Sequence, residues 1–158
     1  MVTRWHLLHL PVKVQGRTGP WAWVDDVFIR WPDAVIEGIS VRTALSRRFI
    51  AAKDLRVSPM ALMIGETGIA QKKPRQWWGL RHGHGHGLLV NQAVCDSEGH
   101  LLGRIKDFVI DENSLAVHHI VVSRGLLEDL MQGSLLIPAH QLQLDNEGRI
   151  KIAATGAI

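Results

Sequence analysis

In the second half of the chain, apolar and polar residues alternate in short runs separated by turn residues, the period-two pattern of half-buried strands. Asn91 to Cys95 leads into Asp96-Ser97-Glu98-Gly99, a turn whose glycine accepts positive φ, and Leu101 to Ile110 returns as a long strand. Asp111 to Ser114 forms the next turn, and Ala116 to Ser123 a third strand carrying Val117, Ile120, Val121 and Val122. From Gly125 to Gln132 the spacing of Leu126, Leu127, Leu130 and Met131 predicts a short amphipathic helical turn, which Gly133 ends. Leu135-Leu136-Ile137-Pro138 reads as a short strand stopped by proline. Leu142 to Leu144 and Arg149 to Ile152 read as a hairpin around the turn Asp145 to Gly148. So many short antiparallel strands remove their exposed edges by curling into a small barrel.

The first half carries a fainter copy of the same pattern. Shifted by 81 positions, Trp23 to Ile29 falls on Arg104 to Ile110 with Asp26 on Asp107, and in the same register Val35 to Val41 falls on Ala116 to Val122. A one-residue gap aligns Gly19 with Gly99. Beyond Leu45 the first copy is about six residues shorter, after which Phe49-Ile50-Ala51 answers Leu135-Leu136-Ile137 and Leu55-Arg56-Val57 answers Leu142-Gln143-Leu144. The expected organisation is two related units, 12–64 and 90–152, joined by a basic, Trp- and His/Gly-rich linker over 65–89.

The second copy resembles the PRC-barrel domain, the small β-barrel shared by the cytoplasmic part of the photosynthetic reaction-centre H subunit and the C-terminal domain of a ribosome-maturation factor. The resemblance rests on Asp96-Ser97-Glu98-Gly99-His100-Leu101-Leu102-Gly103-Arg104-Ile105-Lys106-Asp107-Phe108-Val109-Ile110-Asp111, followed by His119-Ile120-Val121-Val122 and Leu136-Ile137-Pro138. The first copy departs from the pattern: Ala22 stands for the second glycine, Trp21 and Trp23 for smaller residues, and Ala52 for the proline. The resemblance implies an all-β fold of two tandem small antiparallel β-barrels, the first degenerate and the second with a short helical turn. It also implies a non-enzymatic adaptor that docks on a larger protein or ribonucleoprotein assembly, and it brings no catalytic residue.

Composition narrows the reading. Hydrophobic residues make up 46% of the 158, which supports a packed core and excludes a disordered chain. The longest apolar runs fall far short of the roughly 18 to 20 residues that span a bilayer. A single cysteine, Cys95, agrees with a reducing compartment, and the expectation is a cytoplasmic protein. The net charge of +3 hides a division: 13 basic and 6 acidic residues through Gly87, then 5 basic and 9 acidic. Such halves attract each other, within the chain or across a dimer, or the basic half meets an anionic surface such as RNA or lipid headgroups.

Two segments of the linker carry candidate chemistry. Lys72, Lys73, Arg75, Trp77 and Trp78 combine cations with large aromatics, suited to holding phosphates while stacking bases or to seating Trp at a headgroup layer; alternatively Trp77 and Trp78 pack over a barrel end and the lysines are solvated. His82, His84 and His86 alternate with glycine, so three imidazoles can converge on Zn, Ni or Cu, although His-Gly alternation is also a flexible linker composition. Asp26, Gly99, Gly103 and Asp107 read as structural turn or bulge residues. Cys95, at the end of an apolar strand, reads as a structural thiol rather than a nucleophile. The aromatics Trp5, Trp21, Trp23 and Trp31 are expected at contacts between barrels or subunits, which favours a homodimer. The expectation is thus an adaptor with no cofactor. The alternatives are an RNA- or ribosome-associated maturation factor using the basic half and a metal-binding protein using the histidines.

Overall fold

The computed structural model describes residues 1–31, 33–66, 78–79, 89–145, 147 and 149–153, with 78–79 described by backbone alone. The chain opens with β1 (Val2–Thr3) and the short helix α1 (Arg4–Leu8). One sheet then follows from β2 (Pro11–Val14), β3 (Ala22–Arg30), β4 (Val35–Arg42), β5 (Arg47–Ala51), β6 (Leu55–Val57) and β7 (Leu62–Ile64). After β8 (Trp78–Gly79) comes a second set: β9 (Ala93–Cys95), β10 (Leu101–Ile110), β11 (Val117–Ser123), α2 (Leu126–Gln132), β12 (Leu135–Pro138), β13 (Leu142–Leu144) and β14 (Ile150–Ile152). The strand paths match, β5-β4-β3-β2-β7-β6 in one sheet and β12-β11-β10-β9-β14-β13 in the other.

Two features differ from a pair of closed antiparallel barrels. Both sheets are mixed, because β2 pairs with β7 and β9 with β14 in parallel. The cause is the link between β12 and β13, a single 3-10 turn over Ala139–Gln141 that carries the chain forward instead of reversing it. The equivalent turn, Ala52–Asp54, does the same between β5 and β6. Strands joined end to end in this way do not lie side by side, so among the described residues no ladder connects the two ends of either path and both sheets are open.

The long strands β3 and β10 organise everything else. Each bends at matching places: the ladder slips between Val24 and Asp26 and again between Ile105 and Asp107. At both bends the aspartate accepts from the next backbone N–H, Val27 N to Asp26 Oδ1 at 2.8 Å and Phe108 N to Asp107 Oδ1 at 2.7 Å. This satisfies a donor that the slipped ladder leaves out. Nearby, the ladder between β9 and β10 slips around Gly103, where a Cβ would collide with the Ser123 carbonyl oxygen, so the strands approach too closely for any side chain there.

Each sheet receives its seventh strand from the segment that precedes the other set. β1, at the N-terminus, pairs with β10 of the second sheet, and β8, just before the second set, pairs with β3 of the first. The two sheets also meet directly at a bridge between Val35 and Ala116, where Ile36 N donates to Leu115 O at 2.8 Å and Val117 N to Ala34 O at 2.7 Å. These bonds are reciprocal across positions 81 apart (34 and 115, 36 and 117), the signature of a local two-fold relation. Ala34 and Leu115 both take left-handed backbone, with φ of 54° and 57°. That conformation costs about 1 to 2 kcal/mol per residue, so the contact it permits must offset the strain.

One hydrophobic cluster runs through both sheets, from Leu7 and Val12 to Ile137 and Ile150. Trp31, from the first set, shares a small apolar pocket with Leu89, just ahead of the second set, and with Ile105, Phe108, Ile120 and Leu142 of the second. It therefore sits between the units, as expected of the tryptophans, whereas Trp5 and Trp23 are exposed. α1 packs against both β3 and β10. It is pinned by Asp107, which accepts from Trp5 N at 3.3 Å and lies 3.5 Å from the nearly buried Arg4 guanidinium. Removing that carboxylate orphans the Arg4 charge and the Phe108 N–H together, so Asp107→Ala is expected to lose about 3 kcal/mol of unfolding free energy in urea denaturation. A loss below about 1 kcal/mol would show that Asp107 is not the anchor of α1.

Candidate functional site

Most of the residues singled out in the linker, Lys72, Lys73, Arg75, Trp77, His82, His84 and His86, lie outside the described residues. Trp78 contributes backbone to β8, which places an ordered strand inside the stretch read as linker. Among the described residues no helix is long and apolar enough to cross a membrane. Cys95 is partly buried at the end of β9.

Among the described residues, one group offers metal-ligand atoms in mutual reach: Asp96, Glu98 and His100. Its geometry is that of a turn. Asp96 Oδ1 accepts from Glu98 N at 2.9 Å and His100 N at 2.8 Å, and the His100 ring lies 3.2 Å from Asp96 and 3.5 Å from Glu98. The His100 backbone N–H does most to hold the Asp96 carboxyl below its ordinary range. Asp145-Asn146-Glu147-Gly148-Arg149 repeats the arrangement with a guanidinium in place of the imidazole, Arg149 lying 2.7 Å from Asp145 and 3.0 Å from Glu147. A guanidinium is no metal ligand. The shared pattern is a turn that pairs two carboxylates with a following base, which accounts for His100 without an ion.

Two surfaces have the chemistry of recognition. The first is a row across the first sheet, Pro11, Trp23, Arg42 and Arg47, each directly opposite the next on β2, β3, β4 and β5. Residues opposed in an antiparallel ladder stand on the same face, so the indole is set among cations. Trp23 is 52% exposed, Arg47 lies 3.2 Å from the largely buried Asp25, and Arg42 makes no ion pair among the described residues. Such a face offers an aromatic plane for stacking or packing and cations for carboxylates or phosphates. The equivalent row of the second sheet holds Ala93, Arg104 and Ser123, with no aromatic.

The second surface is α2. Its apolar residues Leu126, Leu127, Leu130 and Met131 are all exposed, between 76% and 83%. One polar residue, Asp129, faces the body, accepting from Ser123 Oγ at 2.6 Å and from Arg124 N at 3.1 Å, while Glu128 and Gln132 are exposed like the leucines. The helix is thus amphipathic in its spacing, yet it stands off the body and buries none of its residues. Beside it a groove of about 790 Å³ runs along β10, lined by Leu101, Arg104, Lys106, Arg124 and Leu126 among others. Trp23 stood out in the sequence, yet the arginines beside it did not, because they lie far along the chain and only strand register unites them.

Compared with known protein families and with characterised proteins, the sequence matches none.

The anchoring of α2 has a pH signature. The Ser123 hydroxyl, with the Arg124 N–H and the Lys106 charge, holds the Asp129 carboxyl below its ordinary value. The stability it contributes is therefore present above the unfolded-state value and lost as pH falls through the lowered folded value. Carboxyl NMR titration is expected to show Asp129 ionising below an unstructured aspartate, and Ser123→Ala is expected to move the midpoint upward. An unchanged midpoint in that variant would remove Ser123 as the cause.

Proposed function

We propose that the chain is a non-enzymatic adaptor of the PRC-barrel type, two related units that dock on a larger protein assembly through the Trp23 face of the first sheet. The observation that carries this reading is a half-exposed tryptophan held in register with Arg42 and Arg47 on paired strands. Aromatic and arginine side chains dominate binding energy at protein interfaces, and a rigid sheet presents them at low entropic cost. A partner with acidic residues around an apolar depression complements such a face, consistent with the basic balance of this half.

The same row favours one second reading. An indole among arginines also stacks a base and holds its phosphates, so an RNA- or ribosome-associated factor would use the same residues. The His-Gly segment, read as a Zn, Ni or Cu site, lies outside the described residues.

Affinity capture of the tagged protein from its native cells, with and without nuclease, separates the two. The adaptor reading expects protein partners that persist after nuclease and fall at least about tenfold in Trp23→Ala and Arg42→Glu. Capture abolished by nuclease transfers the assignment to RNA, and partners unaffected by both substitutions exclude this face.

A further inference from the structure

We propose that α2 is the centre of a two-fold homodimer interface, in which the apolar stripe of one copy seats in the groove between α2 and β10 of the other. The stripe is built rather than incidental. Leu126, Leu127, Leu130 and Met131 follow the i, i+1, i+4, i+5 spacing that gathers four side chains on one side of a helix. In an isolated molecule that side belongs on the core, yet here Asp129 alone bonds the body, through Ser123 and Arg124, and the apolar side is left in solvent. With the nearby Leu101, 63% exposed, the stripe presents on the order of 700 Å² of apolar residue surface, against about 800 Å² per partner in a standard protein interface. A monomer rarely exposes so large an apolar patch to water.

The occupant is a second copy because the surface is self-complementary. Stripe and groove adjoin, Leu126 belonging to both, so a single two-fold rotation places each stripe in the opposite groove and closes the assembly. The charges match the same rotation: exposed Glu128 rides on the helix, and Arg104, Lys106 and Arg124 line the groove beside a single carboxylate, Asp129, which Ser123 and the Arg124 N–H already engage. Docking exchanges acid for base at both ends and supplies orientation as well as contact. The first sheet has no second stripe to compete, because the chain between β4 and β5 is only the turn Thr43 to Ser46, closed by Thr43 N to Ser46 O at 2.9 Å.

This interface is independent of the Trp23 face, so the two readings fail separately: Trp23→Ala is expected to leave the dimer intact. The full chain, examined by sedimentation velocity from sub-micromolar to hundreds of micromolar, is expected to sediment as a dimer that dissociates on dilution. Leu127→Asp with Leu130→Asp is expected to raise the dimer dissociation constant at least about 30-fold. Because both side chains are exposed in the single chain, the variant keeps its circular dichroism spectrum. In a Cys95→Ser background, Glu128→Cys is expected not to crosslink to itself, while Glu128→Cys mixed with Lys106→Cys forms the heterologous disulfide. A chain that stays monomeric throughout overturns the proposal, as does a dimer that survives the double substitution. Growth into ever larger species overturns it too, since that is the behaviour of head-to-tail contact.

Discussion

The exchange of edge strands between the two sheets is the constraint on which the rest of the structure depends. β1 completes the second sheet and β8 the first, so neither set of strands reaches its full hydrogen bonding without chain from outside it. An unpaired edge on β3 or β10 leaves backbone groups without partners, and such groups are costly to bury. The bridge at Val35 and Ala116 adds direct pairing between the sheets, and Trp31 fills space among residues of the other set. The outcome is one cluster of buried side chains rather than two, and the units are coupled through backbone and core alike.

That coupling explains why aspartate stands where each long strand bends. A slipped ladder frees a backbone donor, and Asp26 and Asp107 each accept one while their strands continue beyond the bend. Asp107 has a further duty that follows from the exchange. β1 lies against β10, so the helix that continues from β1 starts over the bend, and the same carboxylate accepts from Trp5 N and faces Arg4. One residue therefore serves the strand, the helix and a nearly buried guanidinium.

A scaffold tied in this way holds its outer surfaces rigidly, which suits recognition. The Trp23, Arg42 and Arg47 row stands on three paired strands, and α2 is fixed by Asp129 at its polar side. The two surfaces lie on different sheets, one cationic and aromatic, the other aliphatic. A dimer of the kind proposed on the second would leave two copies of the first free for a partner, and a modest affinity at each would then be multiplied when both were bound.

Local pattern by itself determined much of this protein. Period-two runs located β10, β11 and β12 closely, turn chemistry located the bends after β9 and β10, and helical spacing located α2. Residues such as Asp26 and Asp107, 81 positions apart, stand after the same slip in β3 and β10. Strand direction was not legible, because the 3-10 turn at Ala139–Gln141 looks in sequence like any stop after Pro138, and whether a link reverses the chain is set by what its flanking strands can pair with. For the same reason the sheets are open and mixed rather than closed and antiparallel. α1 escaped notice as well, since a five-residue helix has too few turns to show a period and is held by Asp107, about a hundred positions away. The outward stripe of α2 and the arginines around Trp23 depend on orientation and register. Those are properties of the assembled sheets, and tertiary structure alone decided them.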